Sequence, residues 1–117
     1  MPKIMIVDDD RTTVKLLQTL LEMDGFVVVN APRGHTAYAM AHDAKPDLFL
    51  VDYHLADMEG VDLIVRLRAD PVFASTPIVM ASGLNVEEAA LKAGANTFLA
   101  KPFEPSKLAD LFYSLIG

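Results

Sequence analysis

Short apolar runs recur along the chain and separate longer segments of mixed polarity. They occupy residues 4–7, 26–29, 48–51, 78–81 and 97–100 and are rich in Val, Ile, Leu and Phe. Within each run the apolar residues do not alternate with polar ones, which is typical of strands buried on both faces of a parallel sheet. The runs are too widely spaced for hairpins, so the pattern predicts strands that are separated by helices.

Helical periodicity fills the segments between the runs. Val14, Leu17 and Leu21 form an apolar helical face, and Gly25 is well suited to end that helix. Further helices are predicted over residues 37–44, 61–67 and 86–93, which end before Pro46, Pro71 and Gly94, and over residues 108–115, which Pro105 can open. Five repeats of strand then helix, without a linker or a low-complexity tract, predict one three-layer α/β domain over residues 1–117.

The composition narrows the classes of protein to which the chain can belong. Apolar residues make up 52% of the 117 residues, which suits one domain with its own core. No apolar run approaches the roughly 20 residues of a membrane-spanning helix, and no secretory leader follows Met1, so we expect neither membrane insertion nor export. Cysteine is absent, which excludes disulfides and thiolate metal sites and favours the cytoplasm. A net charge of −6 without a basic cluster argues against direct binding to nucleic acid.

Polar residues whose side chains could bind a ligand or take part in a reaction follow four of the five predicted strands. Asp8 and Asp9 follow the first strand, Asp52 the third, Ser82 the fourth and Lys101 the fifth. In open α/β sheets ligands bind beyond the carboxyl ends of the strands, so these groups meet at one edge if their strands are neighbours. Two groups of carboxylates at one edge repel each other unless a cation lies between them. Oxygen ligands at this density favour Mg²⁺.

Each of these residues also has an ordinary structural explanation. An Asp after a strand is usually a turn residue or the N-cap of a helix, and we predict that Asp10 caps the first helix. Asp57, Asp62 and Asp70 are predicted to be solvated turn or helix acids. The convergence of carboxylates, a hydroxyl and an ammonium group on one edge is what favours a functional site over these explanations.

The residue types at this edge suit phosphoryl transfer. A carboxylate such as Asp52 can attack phosphorus and form an acyl phosphate beside a magnesium ion. An ammonium group such as that of Lys101, together with the metal, neutralises the equatorial oxygens in the transition state. A hydroxyl such as that of Ser82 can then donate a hydrogen bond to a phosphoryl oxygen.

Six short motifs, in order along the chain, carry a family resemblance. They are residues 4–9 (IMIVDD), 46–52 (PDLFLVD), 58–60 (MEG), 77–82 (PIVMAS), 93–95 (AGA) and 101–103 (KPF). Each is weak alone, but together they resemble the receiver domain of two-component response regulators over essentially the whole chain. The resemblance implies a flavodoxin-like, doubly wound sheet of five parallel strands in the order 2-1-3-4-5.

The resemblance also implies roles for the acidic residues. Asp52 is then the phosphoacceptor. Asp9, Asp52 and the backbone carbonyl of His54 are the direct ligands of Mg²⁺, and Asp8 supports the metal through a water molecule. His54 has a second interpretation, as a phosphodonor or side-chain metal ligand, but we expect its side chain to point outward.

Further roles concern the signal. By the resemblance, Lys101 completes the site, the Lys101–Pro102 peptide bond is cis, and Ser82 and Phe98 are the switch residues. Phe98 also has the simpler interpretation of a core aromatic that is buried in both states. Besides His54, three departures from the family pattern stand out. Ala56 replaces a frequent Pro, which predicts a looser loop, and Phe98 occupies the aromatic switch position without a hydroxyl. Residues 82–94 are short, which predicts a short or displaced fourth helix.

The resemblance implies partners rather than substrates. The phosphoryl group is expected from a sensor histidine kinase or a histidine phosphotransfer protein, and the signal is expected to pass to a downstream protein, with a homodimer on phosphorylation as another outcome. Beyond its own phosphorylation and slow dephosphorylation, the chain is not expected to be an enzyme. No output domain follows Gly117 in this sequence, which fits either a stand-alone relay or a piece of a longer regulator or hybrid kinase.

Three other functions remain open at this point. Residues 8–12 (DDDRT) fit the Asp-x-Asp-x-Thr signature of haloacid dehalogenase-type magnesium phosphatases, in which Asp8 is the nucleophile and Asp10 the general acid. A pseudo-receiver that is never phosphorylated is a second alternative. A flavodoxin-like cofactor binder is a third, although three aspartates after the first strand would repel a phosphate group.

Overall fold

A computed structural model describes all 117 residues of the chain and shows five strands alternating with five α-helices. The strands are β1 (Lys3–Val7), β2 (Val27–Ala31), β3 (Leu48–Asp52), β4 (Ile78–Ser82) and β5 (Thr97–Ala100). The α-helices are α1 (Arg11–Met23), α2 (Gly34–Ala44), α3 (Gly60–Ala69), α4 (Glu87–Ala93) and α5 (Leu108–Ile116). A 3₁₀ turn at Pro105–Lys107 leads into α5.

The strands form one parallel sheet in the order β2-β1-β3-β4-β5, which confirms the predicted topology. Three of the four strand pairs juxtapose the carboxyl ends that matter for function. Val7 pairs with Val51, Asp52 with Ala81, and Ser82 with Ala100. The carboxyl ends of β1, β3, β4 and β5 therefore lie at one edge of the sheet.

Two apolar layers cover the two faces of the sheet. Because side chains alternate along a strand, Ile4 and Ile6 of β1 face one layer, whereas Met5 and Val7 face the other. The first layer contains α1 and α5, and the second contains α2, α3 and α4. Both layers include fully buried aromatics, with Phe112 in the first and Phe49 in the second. None of the helices combines the length and the apolar character needed to cross a membrane.

The first helix illustrates how local sequence sets an element. Asp10 has an extended backbone, and its side chain accepts hydrogen bonds from the amides of Thr12 and Thr13 at 3.1 and 3.4 Å. This confirms the predicted N-cap. The helix buries the stripe of Val14, Leu17 and Leu21 and ends before Gly25, whose φ of 93° suits a residue without a side chain.

Two predictions about the strands are wrong in detail. The second strand begins at Val27 rather than at Phe26, and Phe26 instead packs in the core against Phe112, with ring centroids 6.0 Å apart. Burial on both faces holds for β1, β3 and β4, but not for β2 and β5, which lie at the edges of the sheet and keep exposed or half-buried positions.

Two of the three acids predicted to be solvated are instead hydrogen-bonded. Asp70 accepts from the hydroxyl of Tyr38 at 2.6 Å and from the amide of Val72 at 2.9 Å, and its Oδ2 lies 2.8 Å from Nε2 of His42. Asp57 accepts from two amides at the start of α2. Only Asp62 is exposed, in the first turn of α3, as predicted. Apart from Val72, these partners lie more than 20 residues away in sequence, so no local sequence pattern predicts these hydrogen bonds.

The contact between His42 and Asp70 predicts a pH-dependent contribution to stability. The hydrogen bond to Asp70 raises the pKa of His42, and the bond to the Tyr38 carbonyl adds to the rise. A raised pKa in the folded state stabilises the protein fully below the ordinary value near 6.5 and no longer does so once the pH exceeds the folded-state pKa. His42→Gln should therefore lower the urea midpoint more at about pH 5.5 than at about pH 8.5.

The control for this prediction is His35→Gln on the same helix. The ring of His35 is 64% exposed and lies 3.9 Å from its nearest carboxylate, that of Asp57. Urea unfolding of the wild type and both variants at the two pH values measures the difference. An effect of His42→Gln that is equal at both pH values, or larger at the alkaline one, would contradict the assignment.

Candidate functional site

The residues predicted to form a site meet at the carboxyl edge of the sheet. Asp8 directly follows β1, Asp52 and Ser82 are the last residues of β3 and β4, and Lys101 directly follows β5. The backbone amide of Lys101 donates to the carbonyl of Ser82 at 2.8 Å, which ties the ends of β4 and β5 together. The parallel register therefore holds these four positions in place without help from a flexible loop.

Three carboxylates form a compact acidic cluster at this edge. One oxygen each from Asp8, Asp9 and Asp52 lies within 4.8 Å of the others. Asp8 is buried, Asp52 is half-buried and Asp9 is exposed, so the cluster opens to solvent on one side. Such a group of hard oxygen donors suits a divalent cation, since Mg²⁺ takes one or two carboxylates and keeps several waters.

Burial and a neighbouring negative charge disfavour the ionised form of Asp8 and raise its pKa. Burial is the larger cause, and the nearby charge of Asp52 adds to the rise in pKa. The hydrogen bond from the Asp10 amide, 2.9 Å long, and the charge of Lys101 act in the opposite direction without cancelling it. A further cation beside Asp8 would favour its ionised form.

Lys101 is the ammonium group of the site. Its Nζ donates to Oδ1 of Asp52 at 2.8 Å and lies 3.9 Å from Oδ2 of Asp8. Burial alone would lower the pKa of Lys101, but the hydrogen bond and charge of Asp52, with the charges of Asp8 and Asp10, raise it overall. Lys101 is therefore charged at neutral pH, and three carboxylates face one ammonium group, which leaves two formal negative charges uncompensated.

Ser82 supplies a buried hydroxyl beside these charges. Only 4% of the residue is exposed, and its Oγ accepts a hydrogen bond from the amide of Leu84 at 3.0 Å. The bond uses the oxygen as an acceptor, so the hydroxyl proton remains available for donation. Leu84 itself is 49% exposed, on the loop that leads into α4.

The loop after Asp52 carries His54, and its side chain points outward as predicted. The imidazole is 64% exposed, and its Nδ1 lies 3.1 Å from Oε2 of Glu59, an ion pair only when the ring is protonated. The acidic cluster is built from Asp8, Asp9 and Asp52 without the ring of His54. His54 also pairs with Glu59 in an isolated antiparallel bridge, which closes the loop on itself.

Phe98 lies on β5, on the face of the sheet that α2, α3 and α4 cover. It is half-buried and packs against the core layer of that face, so it is neither a free surface residue nor a fully buried one. The nearby helix α4 has seven residues, against nine to thirteen in the other α-helices, as its short segment predicts. The Lys101–Pro102 peptide bond is cis, which the resemblance also implied.

The position of Asp10 bears on the phosphatase interpretation. Both carboxylate oxygens of Asp10 are engaged by α1, Oδ1 by two backbone amides and Oδ2 by the hydroxyl of Thr13 at 2.9 Å. These bonds lower the pKa of Asp10, the bond from the Thr13 hydroxyl most of all. A general acid needs a raised pKa and a free proton, and Asp10 has the opposite environment.

Two further residues shape the site, and the sequence reasoning assigned a role to neither: Asn30 was not singled out, and Gly60 was named only within the motif of residues 58–60. The side-chain amide of Asn30 donates to the carbonyls of Ile6 and Asp8 at 3.0 and 3.3 Å, which fixes the backbone where β1 becomes the acidic segment. A polar residue that follows three valines in an otherwise apolar strand was the available signal. Gly60, at the start of α3, lies so close to the backbone of Asp52 that a Cβ would overlap the Asp52 carbonyl oxygen.

Comparison with known sequences gives one family. The family model "Response regulator receiver domain" matches residues 4–113. The chain is 34% identical over 108 residues to the phosphate regulon transcriptional regulatory protein PhoB of Pseudomonas aeruginosa, which covers 90% of this chain and 47% of PhoB. It is 32% identical over 121 residues to the chemotaxis protein CheY1 of Helicobacter pylori, which covers 98% of this chain and 97% of CheY1. The chain thus spans about half the length of relatives such as PhoB and nearly all of CheY1.

Solved structures agree with the sequence comparison. The chemotaxis response regulator CheY4 of Vibrio cholerae superposes with a TM-score of 0.91 at 26% identity, over 98% of both chains. The receiver domain of the sensor histidine kinase PA1611 of Pseudomonas aeruginosa superposes with a TM-score of 0.90 at 27% identity, over 99% of this chain and 98% of that one. That structure has a magnesium ion coordinated in its active site cleft.

Proposed function

As the chain belongs to the response regulator receiver domain family, with a phosphorylation-dependent signalling role in two-component systems, we propose that Asp52 is its phosphoacceptor. The observation that carries this proposal is the placement of Asp52 within the acidic cluster, 2.8 Å from the only ammonium group of the site. A carboxylate in this setting has an open side towards solvent, charge stabilisation beside it and a hydroxyl on the neighbouring strand.

We propose Mg²⁺ as the cofactor, with Asp9, Asp52 and the backbone carbonyl of His54 as ligands and Asp8 acting through a water molecule. The residues fit such an ion, because the cluster consists of hard oxygen donors and carries two uncompensated negative charges. When bound, magnesium neutralises charge on the transferring phosphoryl group.

The reaction of the chain itself is a nucleophilic displacement at phosphorus. One carboxylate oxygen of Asp52 forms a bond to the phosphorus atom of a phosphohistidine as the phosphorus–nitrogen bond breaks, and the imidazole nitrogen keeps the electron pair. Asp52 attacks as an anion, so it needs no general base. The ammonium group of Lys101 lies beside the nucleophile and is placed to pair with an equatorial phosphoryl oxygen.

Ser82 then recognises the product. Its hydroxyl proton is free, because its hydrogen bond with Leu84 uses the oxygen as the acceptor. A phosphoryl oxygen on Asp52 offers a charged acceptor, which makes a stronger hydrogen bond than a neutral one. Movement of the Ser82 side chain towards that oxygen would change the packing at the end of β4 and at the loop to α4.

Magnesium binding tests the ligand assignment. Asp9→Ala should weaken magnesium affinity by at least about tenfold, since it removes a proposed ligand. Asp10→Ala should leave the affinity close to the wild-type value and instead lower the urea midpoint, since it removes the cap of α1. Isothermal titration with magnesium chloride and urea unfolding measure the two effects separately. An exchange of the two phenotypes would favour the phosphatase interpretation, as would repeated turnover of a chromogenic phosphate ester.

We also propose that Phe98 passes the signal to the surface formed by α4, β5 and α5. The ring is half-buried, and an inward rotation of the side chain would bury more apolar area. Phenylalanine has no hydroxyl group that this burial would leave without a hydrogen-bond partner. We expect the NMR signals of the Phe98 ring to shift when beryllofluoride and magnesium are added, because the space that Ser82 vacates becomes available to it. Phe73, fully buried in the same layer, is the internal control and should shift little. Unchanged Phe98 signals would exclude this route.

The partners follow from the family and not from a binding pocket. We propose that a sensor histidine kinase or a histidine phosphotransfer protein supplies the phosphoryl group, and that a downstream protein, or a second copy of the phosphorylated chain, reads the result. In this proposal the chain acts as a switch rather than as an enzyme with an external substrate. Its charge of −6 makes direct binding to nucleic acid an unexpected activity.

We propose a cytoplasmic location for the protein. Cofractionation with cytoplasmic marker proteins would test this location.

A further inference from the structure

Helix α2 is capped by a residue from a different part of the chain. Its own N-cap residue, Arg33, makes no side-chain hydrogen bond to the helix. Instead Asp57, in the loop that follows Asp52, accepts from the amide of Gly34 through Oδ1 at 2.8 Å and from the amide of His35 through Oδ2 at 3.0 Å. These are two of the amides that a helix leaves without intrahelical partners, so one carboxylate joins the loop to the start of α2.

Packing at the same point reinforces this joint. A Cβ on Gly34 would overlap the side chain of Met58, the residue after Asp57. The same Cβ would lie 3.4 Å from Cδ1 of Leu55, which precedes Asp57 in the loop. The glycine therefore lets the loop lie directly against the helix, and the loop contacts α2 on both sides of Asp57.

The remainder of the loop is closed on itself. The amide of Leu55 donates to the carbonyl of Met58 at 3.1 Å, and the amide of Gly60 donates to the carbonyl of Tyr53. His54 and Glu59 pair between these two bonds. Position 56 is an alanine, so the loop has no proline to restrict its backbone. At its start the loop is attached to β4, where the amide of Tyr53 donates to the carbonyl of Ala81 at 3.2 Å, and Tyr53, Leu55 and Met58 pack against the core. Beyond these contacts, the carboxylate of Asp57 supplies the side-chain hydrogen bonds that join the loop to α2.

We propose that Asp57 is a positioning residue, which holds residues 53–59 against the start of α2 and thereby fixes the backbone carbonyl of His54 for magnesium. This inference rests on the proposed function, in which that carbonyl is a ligand. Asp57 itself does not contact the acidic cluster, and it acts only through the loop. The sequence predicts a looser loop at Ala56, and the joint to α2 supplies the restraint that a proline would otherwise give.

The charge of Asp57 suits this role. Hydrogen bonds from the amides of His35 and Gly34 hold the pKa of Asp57 below its usual value, so the residue is ionised at neutral pH. A negative charge at the start of a helix is also stabilised by the helix dipole. The bond between loop and helix is therefore charge-assisted and persists across the neutral pH range.

The test must separate positioning from simple capping. Asp57→Ala removes both the cap and the joint. The double variant Arg33→Ser/Asp57→Ala restores a local cap, because serine is a preferred N-cap residue and the backbone at this N-cap position is already extended. The double variant also has the same net charge as the wild type, and Arg33→Ser alone controls for the lost positive charge. Isothermal titration with magnesium chloride and amide hydrogen exchange without metal are measured on all four proteins.

We expect Asp57→Ala to weaken magnesium affinity by about tenfold, the lower end of what is typical when residues that support metal ligands are lost. The amides of Leu55 and Gly60 should exchange faster in this variant even without metal. In the double variant the amides of α2 should regain protection, whereas the magnesium affinity should stay low. Arg33→Ser alone should bind magnesium like the wild type.

Three results would overturn the inference. Wild-type affinity in Asp57→Ala would show that the joint does not position the ligand. Recovery of affinity in the double variant would show that Asp57 matters only as a helix cap. A wild-type protein that does not bind magnesium would overturn the proposed function and this inference with it. The titration of the wild type alone shows this result, so it is distinguished from the two results that concern the variants.

Discussion

Replacing Gly60 with alanine is expected to lower the free energy of unfolding by roughly 3 kcal/mol, the upper part of the usual cost of overpacking. A Cβ at this position would overlap the carbonyl oxygen of Asp52 and lie 2.8 Å from Cε of Met80 and 3.1 Å from Cγ1 of Val51. The first of these neighbours is backbone at the end of a central strand, so it cannot move aside as a flexible side chain would. Helix propensity alone would favour alanine at the start of α3 by up to about 1 kcal/mol, so the clash decides the sign.

The same substitution should also disturb the site, because Asp52 would have to shift to relieve the overlap. Gly83→Ala is the matched control, since a Cβ at residue 83 meets nothing within 4 Å. We expect Gly83→Ala to change the free energy of unfolding by no more than about 0.5 kcal/mol, as is usual for surface sites. Urea unfolding of the two variants and the wild type measures this. Equal stability of the two variants would contradict the close approach of α3 to β3.

The order of elements was predictable because strands and helices place their apolar residues at different spacings along the sequence. Continuous apolar runs indicate central strands, and the stripe of Val14, Leu17 and Leu21 indicates a helix on one face of a sheet. The exposure of the edge strands was not predictable in the same way. The apolar start of β2 (residues 27–29) resembles a central strand, and only the strand order makes it an edge.

The site was predictable to the extent that it lies at strand ends. Asp8, Asp52, Ser82 and Lys101 each end or follow a strand, so the topology alone brings them together. Neither the hydrogen bond between Lys101 and Asp52 nor the burial of Asp8 follows from strand ends, since both depend on side-chain packing.

Contacts between distant segments were beyond the sequence. Asp57 looks like a turn acid, and its partners at the start of α2 lie 23 and 22 residues before it. Asn30 similarly acts on the backbone of Asp8, 22 residues away. Such side-chain bonds across elements have no periodicity, whereas a local cap such as that of Asp10 has its partners within three residues.

Replacing Asp52 with asparagine is expected to abolish phosphorylation altogether. The asparagine amide cannot act as the carboxylate nucleophile, and no other acid of the cluster pairs as closely with Lys101, whose Nζ lies 2.8 Å from Asp52 and 3.9 Å from Asp8. Asp62→Asn on the exposed side of α3 is the control, and it should be labelled like the wild type. Circular dichroism should show that both variants keep the fold.

Intact mass spectrometry after incubation with acetyl phosphate and magnesium tests the phosphoacceptor assignment most directly. The wild type should gain the mass of one phosphoryl group, the gain should disappear with a metal chelator, and Asp52→Asn should not be labelled. Labelling of Asp52→Asn to the wild-type level, labelling that persists with the chelator, or a wild type that is never labelled, as expected of a pseudo-receiver, would contradict the account.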